Sequence, residues 1–167
     1  STTNCAGAIV FDSINVQAGD ALVVTTLSAA VDGFAFGNFV AGITDDNGGT
    51  WGFNVVSQNV GIALNHPAGA TIVTLTLGTN SCFGHGPFGT VAVLSDWSGI
   101  LAAGALDTYA NSSGTSNVVS TGTTAATSHF SEVVIAGGGI FTTTAATLGT
   151  AGNDFTDFTY TGLVSNL

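Results

Sequence analysis

The residues best placed to do chemistry in this chain are oxygen ligands. Asp45, Asp46 and Asn47 stand in a row before Gly48 and Gly49. A hard cation such as calcium takes six to eight oxygens, commonly from loops of this composition, so the run is a calcium candidate. The same residue types also favour hairpin turns, because Asp and Asn bond their own backbone and Gly accepts a positive φ. Turn chemistry is the stronger reading. Asp154 and Asp157 form a second acid pair. The histidines His66, His85 and His129 sit in separate turns without metal-ligand spacing and read as solvated loop residues. His85 follows Cys82 closely, but no second pair completes a zinc set. No Gly-x-Ser-x-Gly elbow is present. Glu132 is the single glutamate, and nothing marks a partner acid for glycoside hydrolysis. Trp51 and Trp97 offer a sugar-stacking platform, although a lone tryptophan in a strand is more often core. The expectation is therefore no catalytic residue, no resident cofactor apart from the calcium candidate, and no enzyme.

The charge balance excludes more than any motif. The chain has 167 residues, ten acids and neither lysine nor arginine, giving a formal net charge of −10. An average domain of this length carries about 20 basic residues. Nucleic-acid binding rests on Lys and Arg neutralising phosphates, so it is excluded. Binding to anionic membranes, Schiff-base chemistry and arginine fingers fall with it. No Lys or Arg salt bridge can form, and trypsin has no site. Stability must come from apolar packing and backbone pairing. Mean hydropathy is +0.51 with only 6% charged residues, yet no apolar run is long enough for a spanning helix, so membrane insertion is not expected.

These features fit a secreted chain, extracellular or at the cell surface, and the start at Ser1 without methionine fits a processed product. Cys5 and Cys82 are an even count, which in an extracellular chain reads as one disulfide; two free buried thiols are the alternative. Asn111-Ser112-Ser113 is a glycosylation sequon in a Ser/Gly-rich stretch.

The elements that must position these residues are strands. Alternating or apolar runs cover Ala8–Phe11, Ile14–Val16, Ala21–Leu27, Phe36–Ile43, Trp51–Val56, Gly61–Leu64, Ala70–Leu77, Thr90–Trp97, Ala105–Tyr109, Glu132–Phe141 and Phe155–Leu163, with Ser116–Thr121 as a further candidate. The Asp45-to-Gly49 cluster reads as the hairpin turn between two of them. No window carries a sustained helical period with caps. Ala70–Leu77 places Val73, Leu75 and Leu77 on one face and Ile72, Thr74 and Thr76 on the other. Ten to twelve short strands without a composition break predict a single all-β domain over residues 1–167, a two-sheet antiparallel jelly-roll-like sandwich.

The order of several motifs resembles a family of jelly-roll, lectin-like sandwich domains in bacterial secreted and surface proteins. The matching residues are Asn4-Cys5, the segment from Val16 to Val24, Asp45-Asp46-Asn47-Gly48-Gly49-Thr50-Trp51, Trp97-Ser98-Gly99 and Leu106-Asp107. The resemblance implies a lectin-like architecture and an extracellular place, and it implies no reaction. Members of that family run on for one or two strands beyond the region of Phe155–Tyr160, whereas this sequence stops at Leu167. Either the sequence is truncated there or another chain supplies the missing strand.

A sandwich that lacks a strand exposes an apolar groove and an unpaired edge. A neighbour's strand can fill it, and filling that does not close on itself gives an open filament. The expected function is thus an extracellular structural subunit, polymerising with copies of itself by strand complementation. The terminal segments Ser1–Ile9 and Gly162–Leu167, the second with apolar Leu163, Val164 and Leu167, are the candidates for the donated strand. The alternative is a carbohydrate-binding or adhesive module with glycan partners.

Overall fold

The computed structural model describes residues 7–31, 40–53, 59–77, 88–112, 121–128 and 132–142. Within them the secondary structure is all β. The organising strand is β3 (Ala21–Val31), which follows β1 (Ala8–Val10) and β2 (Ile14–Val16). Leu22 and Val24 are buried on one face of β3, and Ala21 and Val23 on the other. A strand covered on both faces needs a near-continuous apolar run, and this segment supplies one.

Strand β9 (Phe88–Trp97) lies antiparallel along one edge of β3, in register from Ala21↔Trp97 to Ala30↔Phe88. The other edge is shared. Strand β6 (Val60–Ala63) pairs antiparallel with residues 22–25, and β10 (Gly138–Thr142) runs parallel beside residues 27–31. Strand β5 (Trp51–Phe53) extends the sheet beyond β6. The sheet is therefore mixed, with one parallel pair where sequence reasoning expected only antiparallel ones.

In the second sheet β8 (Val73–Leu77) is central, flanked by β1 and β4 (Val40–Asp45), with a register shift between Val40 and Gly42. Strand β2 pairs with β7 (Gly69–Thr71) in a separate two-stranded ribbon. The alternation read in β8 holds: Val73 and Leu75 are fully buried, while Ile72 just before it is exposed.

One core joins the sheets. Leu22, Val24 and Ala63 from the first meet Val40, Ile43, Val73 and Leu75 from the second, together with Val16 from the ribbon. Full burial of a Val, Leu or Ile side chain is worth about 1.5–3 kcal/mol, so this cluster is the main stabilising term of a chain without lysine or arginine. The approach is close: Ile43 Cδ1 fills the space that a Cβ on Gly61 would need.

The turn 45–49 does not close a hairpin. Strand β4 pairs with β8 and β5 pairs with β6, so the turn carries the chain from one sheet to the other. Turn residues mark a reversal of the chain; they do not specify that the flanking strands bond to each other. Residues 105–109, expected as a strand, form none. Residues 116–120 and 155–163 lie outside the described residues. No helix among the described residues is long and apolar enough to cross a membrane.

Candidate functional site

Asp45 closes β4 and starts the corner between the sheets. Its Oδ1 accepts hydrogen bonds from the backbone N–H of Asn47 and Gly49, each at 2.9 Å. Its Oδ2 accepts the Trp51 indole N–H at 2.5 Å and lies 3.4 Å from His66 Nε2. The Asp45 and His66 side chains are both 0% exposed. Burial opposes ionisation of Asp45, but the N–H groups of Gly49, Trp51 and Asn47, with the His66 ring close by, outweigh it and hold the carboxyl below its usual 3.8. Gly49 is required here, because the Asp45 carboxylate and the His66 ring occupy the space a Cβ would take.

The two neighbours of Asp45 reach other partners. Asp46 Oδ1 accepts Ile72 N at 2.8 Å, and its own N–H donates to Ile72 O at 3.3 Å. The Asn47 amide donates to Pro67 O, Ala68 O and Thr71 Oγ1 at 3.1–3.3 Å. Together these side chains clamp the 45–49 turn onto residues 66–72. They do not converge on one point, and a cation at the Asp45-Asp46-Asn47 run would compete with these protein donors. Among the described residues no group of three or more His, Cys, Asp or Glu could hold a metal ion.

His66 is not the solvated loop residue that its turn context implied. It is 1% exposed, because long-range pairing closes over it. Its N–H donates to Asp20 O at 2.8 Å, and Gly19 N donates to its carbonyl at 3.0 Å. The preceding Asn65 takes a left-handed φ of 52°, which turns the chain inward. His66 Nδ1 lies 2.8 Å from Pro67 O, while Nε2 makes no hydrogen bond.

Beside it sits a pair of acids. Asp20, 7% exposed, accepts Gln17 N at 3.1 Å and closes a tight turn at the mouth of β3. Asp96 stands opposite Leu22 on β9, and its carboxyl is hydrogen-bonded to that of Asp20. Partial burial, then the like charge of Asp20, pushes Asp96 above 3.8. Register places Trp51, Ala63, Leu22 and Asp96 in one row across β5, β6, β3 and β9, on the face that meets the second sheet. A belt of buried and half-buried polar groups thus borders the core. It holds and screens charge, and its central groups, Asp45 and His66, are closed to solvent.

The other candidates are dispersed. Trp51 and Trp97 are half-buried, and both indole N–H groups are used internally, that of Trp97 donating to Ser95 Oγ at 2.8 Å. Asn111 and Glu132 are exposed. Asp107 accepts both the N–H and the hydroxyl of Ser128, at 2.6 and 2.7 Å. Cys5, Cys82, His85, His129, Asp154, Asp157, Leu163, Val164 and Leu167 lie outside the described residues. The association of Asp20, His66 and Asp96 was not foreseen from sequence. The available signal was Asp20 itself, an acid at the mouth of a long apolar strand. Comparison with protein-family models, with curated proteins and with solved structures finds no match to this chain.

Proposed function

We propose that this chain is an extracellular structural subunit with a jelly-roll-like sandwich fold, polymerising by strand pairing between copies. The observation that carries the reading is the outer edge of β9. Along its ten residues β9 pairs with β3, and among the described residues no strand pairs with its other edge. Folded monomers blunt such an edge with Lys, Pro, bulges or brevity. Strand β9 is long and regular in register, has neither Lys nor Pro, and carries one charge, Asp96, next to its end. An edge of this kind suits pairing with another chain. The absence of Lys and Arg supports the reading further, because it removes both trypsin sites and the usual edge-protecting charge. The Trp51 and Trp97 indoles, half-buried and internally bonded, favour this over the glycan-binding alternative.

Like-charged subunits at −10 repel, so apolar burial must outweigh that repulsion. Repulsion across solvent is screened within about 8 Å at physiological salt. Negative-stain microscopy and sedimentation of the purified protein test the reading. Filaments that persist in salt, and grow as the pH falls toward the sequence pI of 4.1, are expected. Removal of the two terminal segments should abolish them. A protein that stays monomeric at high concentration, or filaments that survive that removal, would overturn the proposal and turn attention to glycan binding.

A further inference from the structure

We propose that β9 pairs antiparallel with β9 of a second copy, centred on Ala92 in both, a pairing that rests on the reading of this edge as the place where copies meet. One backbone hydrogen bond sets the phase of the edge. Thr26 N donates to Asn59 O at 2.8 Å, one step beyond the Thr25↔Val60 register of β3 with β6. Thr26 therefore turns its N–H and C=O toward β6. These groups alternate sides along a strand, so Thr25 and Val23 turn theirs toward β9. Ser95 Oγ, which donates to Val23 O at 3.4 Å, agrees with that direction. Val93 and Ser95, opposite them, spend their backbone groups on β3. The N–H and C=O groups left on the outer edge belong to Phe88, Thr90, Ala92, Leu94 and Asp96.

These residues are spaced evenly about Ala92. Pairing centred there sets Ala92 opposite its own copy, Leu94 opposite Thr90 and Asp96 opposite Phe88, and every outward group gains a partner. A shift of one position would set outward residues against inward ones, and a larger shift leaves groups at the ends unpaired. The charge selects the direction. Asp96 is the one charged residue of the strand. Parallel pairing in register would put the two Asp96 residues next to each other, and like charges so placed are destabilising. Antiparallel pairing holds them about 27 Å apart, from the rise of a strand. That distance exceeds the screening length of about 8 Å at physiological salt. Ala92, where the two-fold axis brings identical side chains together, is the smallest of the outward residues. Ala92 and Leu94 are half-buried against the core, and a second β9 covers the flank that β3 leaves open. A two-fold pair closes on itself, so extension of the pairs into a filament falls to the terminal segments.

Isotope-filtered spectra of assembled native protein, prepared from carbon-13-labelled and unlabelled copies, read the register. Val91 of one copy and Val93 of the other form a non-hydrogen-bonded pair, with Cα atoms about 4.5 Å apart. A contact between their Hα atoms is expected. Its absence from assembled protein overturns this register and leaves the association of copies standing, whereas a protein that stays monomeric at high concentration overturns both. Ala92→Cys supplies the second readout. Opposite residues of a hydrogen-bonded pair lie about 5.5 Å apart at Cα, within reach of a disulfide. Oxidation should therefore link the Ala92→Cys copies to each other through position 92, as read by mass spectrometry of the joined peptides. Leu94→Cys, on the same edge, sets the two Cα atoms about 14 Å apart and should give no link through position 94. No link at position 92, or equal linking at the two positions, would overturn the proposal.

Discussion

Asp45 and Asp96 lie at or next to the ends of strands in opposite sheets, both feel His66, and their carboxyls are driven in opposite directions. Burial acts on them alike, raising each. What differs is the company. Asp45 faces two backbone N–H groups, an indole N–H and a histidine, whereas Asp96 faces the N–H of Trp97 and another acid. In most proteins an arginine or lysine settles which carboxylate ionises freely. Here backbone amides and one indole take that part, which makes the geometry of a single turn decisive. A carboxylate with several aimed donors is stable without a cationic partner; one that shares its site with a second acid is not.

The largest effect expected from breaking this contrast is at Asp45. Asp45→Ala strips acceptors from Asn47, Gly49 and Trp51 and removes the carboxylate beside the buried His66 ring. Leaving a buried donor without its acceptor costs about 1–3 kcal/mol. Urea unfolding at neutral pH should show a loss of that order for Asp45→Ala and a far smaller one for Asp96→Ala, whose side chain reaches solvent. Comparable losses at the two positions would mean that the donors around Asp45 are not what stabilises it.

A subtler way to sharpen the contrast is to crowd the donors while leaving the carboxylate in place. Gly49→Ala puts a methyl group where the Asp45 carboxylate and the His66 ring already sit. Overpacking of this kind costs about 1–3 kcal/mol. Gly42→Ala, in the irregular stretch of β4 where a Cβ meets nothing within 4 Å, is the matched control and should change stability by less than about 0.5 kcal/mol. The same urea experiment measures both. A neutral Gly49→Ala would show that the turn has slack and that the fit around Asp45 is loose.

The strands were largely legible in the sequence, because their signal is local. The alternation of Val73 and Leu75 against Ile72 and Thr74, and the apolar run from Ala21 to Val24, follow from which faces are covered. The partners of those strands were not legible. Asp45-Asp46-Asn47-Gly48-Gly49 has hairpin chemistry, yet it crosses between sheets, because Asn47 and Asp46 bond residues 67–72 and draw the chain away from its own preceding strand. His66 was misplaced for the same reason. Its burial depends on backbone pairing with Gly19 and Asp20, more than forty positions earlier in the chain, and no local composition encodes that closure. Asp20 was visible as an acid before an apolar strand, but its meeting with Asp96 rests on the register of β3 with β9, which period-two patterning leaves open to any even shift.

The smallest effect, and the one most specific to the contrast, is the pH behaviour of Asp96→Asn. Asp96 is raised above 3.8 in the folded chain, so the folded state binds that proton more tightly than the unfolded state. Its ionisation therefore costs nothing while the pH is below 3.8, and it removes stability as the pH rises through the folded value. Asp45 behaves in the opposite way: lowered below 3.8, it contributes stability above that pH and loses the contribution as the pH falls through its folded value. An asparagine at position 96 keeps a donor for Asp20 and removes the like charge. At neutral pH Asp96→Asn should be slightly more stable than the native chain, by no more than about 0.5 kcal/mol because the side chain reaches solvent. The advantage should vanish below pH 3.8, while the acid-side loss due to Asp45 persists in both proteins. Urea unfolding at neutral pH and again below 3.8 reads the difference. An asparagine variant that is less stable at neutral pH would show that the pairing of Asp20 and Asp96 is no liability, and an advantage that grows on acidification would show that the Asp96 carboxyl is lowered on folding rather than raised.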